Sequence, residues 1–117
     1  CFSMSGVKYR AIKMGPVPNN FNSLFEFMSN ENHVDVIQVD FGDDRIGDKF
    51  VPHPNRAFVS ELFSELEINI LEKVVLMFKD TSTSSIINFS HNEKGWIENN
   101  ESKSLISYKY AFDISQI

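Results

Sequence analysis

The sequence predicts an α+β fold, a mainly helical single domain over residues 1–117 with a small antiparallel β-sheet. Two patterns and one size limit lead there. Apolar residues recur at helical spacing over longer stretches than they alternate, and the alternating stretches come as a hairpin rather than interleaved with helices. A chain of 117 residues, 42% of them apolar, is enough for one domain and too short for two.

Between Val7 and Met14, Val7, Tyr9 and Ala11 alternate with Lys8, Arg10 and Ile12, which predicts a strand ending at Gly15. In Gly15-Pro16-Val17-Pro18 the prolines fix two φ angles, remove two amide donors and hold the residues before them extended, so the segment is expected to be a rigid elbow. A helix follows, capped by Asn19 or Asn20, with Phe21, Leu24, Phe25 and Met28 along one face as far as Ser29-Asn30. Ile37, Val39 and Phe41 then alternate with polar residues, and Lys49-Phe50-Val51 is a second extended run, so a β-hairpin is expected with residues 42–47 as its turn. Pro52 and Pro54 end it. With the Val7 strand, this hairpin is expected to make a three-stranded sheet.

Ser64-Glu65-Leu66-Glu67 has the form of a capping box, and Leu66, Ile70, Leu71, Val74, Val75 and Phe78 follow at helical spacing. Burying these side chains at about 1.5 to 3 kcal/mol each would supply on the order of 10 kcal/mol before entropy, so this helix is expected to be the central core element. After a polar break at Thr81–Thr83, a shorter helix carries Ile86, Ile87 and Phe89 to Ser90-His91, and residues 92–96 form a turn and one helical turn. Ile106, Tyr108 and Tyr110 alternate as a closing strand would, before an ambiguous tail from Ala111 to Ile117.

Charge narrows the function. Eleven Lys+Arg against sixteen Asp+Glu give a net charge of -5, so the whole-chain attraction that draws proteins to nucleic acid or anionic lipid is missing. A nucleic-acid role would need a local basic patch. No apolar run approaches the roughly 18 to 20 residues of a membrane span, and no secretory leader opens the chain. Cys1 has no internal partner for a disulfide, which fits a reducing compartment. The chain opens on Cys1-Phe2-Ser3 without an initiator Met and is read as a fragment.

No chemical motif emerges. His33, His53 and His91 lack metal-ligand spacing, and no cofactor-binding glycine pattern is present. His33 and His53 read as solvated or turn residues, and His91 as a helix-terminal histidine bonding the last carbonyls of its own helix. Ser90 and His91 are adjacent and point about 100° apart on a helix, so they do not make a nucleophile and base. From Glu31 to Asp48 there are six carboxylates against one arginine, whereas residues 1–18 carry Lys8, Arg10 and Lys13 with no acid. Each stretch reads either as an ordinary solvated face or as half of an opposite-sign pair of patches for a protein partner, with Lys8, Arg10, Asp43 and Asp44 as the binding candidates.

The order Ser5-Gly6-Val7-Lys8-Tyr9-Arg10-Ala11-Ile12-Lys13-Met14-Gly15-Pro16-Val17-Pro18, the helices after it, Ser90-His91-x-x-x-x-Trp96 and the closing Ile106-Ser107-Tyr108 resemble the Panacea domain family, the SocA-like antitoxin domains. The resemblance implies a prokaryotic, cytoplasmic, non-enzymatic domain without cofactor or metal, whose partner is a cognate protein toxin. It implies scaffold roles for Gly15, Pro16, Val17, Pro18, Ser90, His91 and Trp96, with Trp96 buried and its indole N–H paired. Members of that family usually begin with one or two apolar helices that this chain lacks, so either the domain is truncated at its N-terminus or a second copy, in a homo-oligomer, covers the gap. Two other readings stand beside the antitoxin: a sensing or oligomerisation domain of a bacterial transcription regulator whose DNA-binding part lies upstream, and an enzyme with an unfamiliar site around His91.

Overall fold

The structure, a computed structural model, describes residues 4–115; Cys1 and the last residues of the tail, Gln116 and Ile117, lie outside the described residues. The fold is α+β, as the sequence predicts. Its elements are β1 (Tyr9–Ile12), β2 (Gly15–Pro18), α1 (Phe21–Asn30), β3 (Val34–Asp40), β4 (Ile46–Pro52), α2 (Glu65–Phe78), α3 (Thr83–His91), α4 (Lys94–Ile97) and β5 (Leu105–Ile106), with 3-10 helices at Ser60–Leu62 and Tyr108–Asp113. The chain forms two compact units. One is Asn20–Ser60; the other is built from the chain before it and from Glu61 onward. Among the described residues, no helix is long and apolar enough to cross a membrane.

In the unit built from both ends of the chain, a three-stranded antiparallel sheet has the order β2-β1-β5. Ile12 pairs with Gly15 across a two-residue turn, so β1 and β2 form a tight hairpin, and the expected elbow is in fact an edge strand. Proline is tolerated there for a definite reason. Asn19 N donates to the Lys8 carbonyl at 2.8 Å, so in this register the odd-numbered residues 15, 17 and 19 face β1, and Pro16 and Pro18 sit at the outward positions where no partner asks for a donor. On the other side of β1, Tyr9 pairs with Ile106, and Ala11 N donates to the Ser104 carbonyl at 3.0 Å. Ala11, at this crossing, is the one apolar residue fully buried among those described. The expected closing strand stops after Ile106, because the Ser107 hydroxyl accepts from Lys109 N at 3.3 Å and starts the 3-10 helix that carries Tyr108 and Tyr110.

In the Asn20–Ser60 unit, β3 and β4 pair antiparallel from Val34↔Pro52 to Asp40↔Ile46, so the expected hairpin is present with a shorter turn, residues 41–45, with Ile46 and Gly47 in β4 and with Pro52 as its last paired residue. It does not join the Val7 strand. It is a separate two-stranded sheet, because β1 already has a neighbour on each side. Phe25 of α1 lies on Phe50, opposite Val36 on the same face, with ring centroids 4.6 Å apart. Asn20 occupies the N-cap of α1 without a side-chain bond, since no acceptor geometry forms there, and Asn19 instead accepts from Arg10. Arg56 closes the unit, donating to the carbonyls of Asn32 (3.2 Å) and Glu31 (2.8 Å) just past the end of α1.

The capping box at α2 forms as expected: Glu67 N donates to Ser64 Oγ at 3.2 Å and Ser64 N donates to Glu67 Oε2 at 2.8 Å. The helix is nevertheless not the central core element. Leu66 is 70% exposed, Val75 60% and Leu76 67%, and no residue of α2 is fully buried. Ile68, Leu71, Met77 and Phe78 are half-buried, and Phe78 meets Phe89 of α3 edge to face at 5.0 Å. Periodicity and capping fixed the helix, whereas burial needed a facing element that the described chain does not place there. Ser64→Ala should therefore loosen α2 by about 1 kcal/mol, seen as roughly fivefold faster amide hydrogen exchange along the helix. Glu67→Ala should act in the same direction, because the two bonds are reciprocal.

Candidate functional site

The β1–β2 turn is held from the helical side. Trp96 in α4 donates its indole N–H to the Ile12 carbonyl at 2.8 Å, and His91, the last residue of α3, pairs through Nε2 with the Lys13 carbonyl at 3.0 Å. A carbonyl can only accept, so Nε2 is the nitrogen that carries the proton. The two rings stack with centroids 3.7 Å apart and 16° between planes, which orients each for its own bond. Ser90 donates to the Ile87 carbonyl at 2.9 Å within α3, and its Oγ lies against Gly15: a Cβ built there would come to 2.8 Å. Gly15 has φ +129°, in the half of conformational space that side chains avoid.

Gly15, Ser90, His91 and Trp96 are thus brought together at one turn, with Pro16, Val17 and Pro18 running away from it along β2. Trp96 is half-buried, not fully buried, and its indole is paired. His91 caps no carbonyl of its own helix; the turn carbonyl of Lys13 takes that role because the stack on Trp96 points the ring away from α3. Sequence reading missed the Ile12 and Lys13 carbonyls as the receiving half of this clamp. Backbone acceptors carry no side-chain signature, and the one available signal was the count of six positions between Ser90 and Trp96 opposite a glycine-ended turn.

The four expected partner-binding residues fall two in each unit. Lys8 is exposed on the strand side of the first unit. Arg10 is engaged within the chain, donating through Nε to Asn19 Oδ1 at 2.9 Å and through Nη1 to the Lys103 carbonyl at 2.7 Å, so it ties β1 to the segment before β5. Asp43 and Asp44 lie in the Asn20–Ser60 unit, at the tip of the β3–β4 hairpin, both with positive φ (52° and 59°). Asp43 faces Arg45 at 3.7 Å in an open, solvated pair worth little.

Of the other histidines, His33 is exposed, and His53 is half-buried with Nδ1 accepting from Asn55 N at 3.1 Å and Nε2 3.9 Å from Asp35. Among the described residues, no group of three or more His, Cys, Asp or Glu is placed to hold a metal ion. Tyr110 donates its hydroxyl to Glu98 Oε2 at 2.5 Å, and that bond, followed by desolvation, raises its pKa above the ordinary 10.0.

Three outcomes check this geometry. Trp96→Phe keeps the stack but leaves the Ile12 carbonyl short of a donor, and should cost about 1 to 3 kcal/mol, read as a lower denaturant midpoint. Gly15→Ala should destabilise, and pairing it with Ser90→Gly should recover only the steric share, because the φ strain stays. Because the folded-state pKa of Tyr110 is raised, its bond to Glu98 is present below the ordinary phenol pKa and is lost as pH rises through the raised value. A spectrophotometric tyrosine titration with Tyr110→Phe as the blank should place Tyr110 above 10.0, and Glu98→Ala should lower it.

No curated protein and no solved structure matches the chain. The family model described as Antitoxin SocA-like, Panacea domain, matches residues 2–97, which takes in every part of the turn clamp and ends at the last residue of α4. A match over that share of the sequence, with the glycine turn and the Ser-His…Trp residues meeting inside it, settles the lineage: the chain belongs to the SocA-like antitoxin, Panacea domain family, and so to the proteins with a toxin–antitoxin-related role.

Proposed function

We propose that the chain is a non-enzymatic protein-binding module, a cytoplasmic antitoxin that neutralises a cognate protein toxin by direct contact. The family match supports a protein partner, and the apolar exposure of α2 is the observation that carries the reading. Leu66, Ile70 and Val74 recur every fourth residue as a stripe on one side of a well-capped helix, and all three stand in solvent. An amphipathic helix that leaves such a face uncovered gains most by laying it against another protein. The share of that burial energy carried by Leu66, Ile70 and Val74 is then available to association.

The test is co-expression in bacteria of the full chain with the product of the gene adjacent to its own. The wild-type chain is expected to restore growth and to co-purify with that product. Leu66→Asp combined with Ile70→Asp should weaken capture at least tenfold while the far-ultraviolet circular dichroism stays unchanged, because neither side chain supports the fold. Failure of the wild-type chain either to bind or to restore growth refutes the antitoxin reading.

A further inference from the structure

Beside the turn clamp, and sharing Trp96 with it, is a pocket of about 290 Å³. Tyr9 of β1, Phe89 of α3, Trp96 of α4, Ile106 of β5, and Tyr108 and Tyr110 of the 3-10 helix line it. All of these belong to the same compact unit. The lining is almost wholly apolar, yet three of its rings are fixed by polar bonds made elsewhere. Trp96 is held by the Ile12 carbonyl and the His91 stack, Tyr108 donates its hydroxyl to the Val7 carbonyl, and Tyr110 donates to Glu98. Such a lining needs little ordering when a ligand enters, which lowers the entropic cost of binding.

Size and charge say what enters. A dry apolar cavity of roughly 150 Å³ accommodates a benzene, so about twice that volume suits one indole or phenol ring with its alkyl stem; drug-sized ligands generally take about 300 to 1,000 Å³. Ala111 and Ile114, also in the lining, are exposed, so the pocket opens to solvent. Three carboxylates belong to its lining or its neighbours: Glu93 in the lining, accepting from Ser115 N at 3.4 Å, Glu98 on the Tyr110 hydroxyl, and Asp113 next to Ile114, against Lys94 at 3.5 Å from Asp113 and Lys109 between Tyr108 and Tyr110. We propose that this pocket receives one aromatic side chain of the protein partner, flanked in that partner by lysine or arginine. The inference rests on the protein-binding reading and extends it, because the family match ends at Ile97 while Ile106, Tyr108 and Tyr110 lie beyond it. Aromatic anchors seated in preformed pockets are where binding energy concentrates at interfaces, and opposite charge around them sets partner choice.

The chain has one tryptophan, so the indole N–H signal of Trp96 reports on the pocket in the ¹⁵N-labelled full chain. The probes are the unlabelled blocked tripeptides Lys-Trp-Lys, Glu-Trp-Glu and Lys-Ala-Lys, and free indole. Lys-Trp-Lys should shift the signal saturably and bind at least fivefold tighter than Glu-Trp-Glu, with the gap closing as salt is raised. Lys-Ala-Lys should give no saturable shift. Ala111→Phe should abolish the response by filling the opening, and Ile114→Ala, which only trims one wall, should weaken it severalfold; a dispersed spectrum in either variant shows that the fold is kept. No saturable shift with Lys-Trp-Lys, or equal affinity for the two tryptophan peptides, overturns the proposal. So does tighter binding of free indole than of Lys-Trp-Lys, which would make this a small-molecule site. In the co-purification assay, Ala111→Phe should reduce capture of the adjacent gene product at least tenfold. Undiminished capture overturns the aromatic anchor while the protein-binding reading stands; binding of Lys-Trp-Lys with no capture by the wild-type chain overturns both.

Discussion

The hydrogen bond from the Trp96 indole to the Ile12 carbonyl is the constraint on which the rest of the larger unit depends. It joins residues 84 positions apart, fastening the turn of the first hairpin to the helical pair α3–α4. Once that distance is fixed, His91 can stack on the indole and reach the Lys13 carbonyl, Gly15 can close on Ser90, and β1 is presented for β5 to pair on its far side. On the opposite face of α4, Gly95 does comparable work: a Cβ there would lie 3.0 Å from Ile106 and 3.3 Å from Tyr110, so helix and sheet meet at a separation that only glycine permits without a shift. Sheet, clamp and aromatic pocket are one construction.

That construction occupies a small part of the surface the chain could bury. Ala11 alone among the described apolar residues is fully enclosed, and α2, the longest helix, has no fully buried residue. A helix of 14 residues is marginal by itself in water, and α2 is supported by its capping box more than by packing. A protein arranged in this way keeps its firm part at the clamp and its adhesive part on α2. On the reading proposed above, the clamp would be the ordered scaffold and the exposed stripe of α2 the face that a partner covers.

Much of the fold was legible in the sequence because local rules decided it. The Ser-x-x-Glu box, the helical spacing of Phe21 to Met28 and the extended runs around Ile37–Val39 and Lys49–Val51 each specify an element without reference to the rest of the chain, and each is present. What was not legible depended on partners distant in sequence. Pro16 and Pro18 read as an elbow because their missing amides were counted as lost bonds, whereas the register turns those positions outward where nothing is lost. The alternation of Ile106, Tyr108 and Tyr110 was overridden by one serine cap. At the candidate site, the sequence named Gly15, Ser90, His91 and Trp96 through a resemblance, but the carbonyls they act upon, the engagement of Arg10 and the aromatic enclosure follow from packing that no pattern of spacing encodes.

The outer margin of β2 carries a consequence of its own. Sheets grow when an incoming strand finds amides and carbonyls alternating along an open border. Here the two sites that would offer amides are imino acids, so a visitor meets acceptors with no donors beside them and cannot zip into register. The border of β2 is therefore a poor template for strand addition, by a second copy of the chain or by any other extended segment.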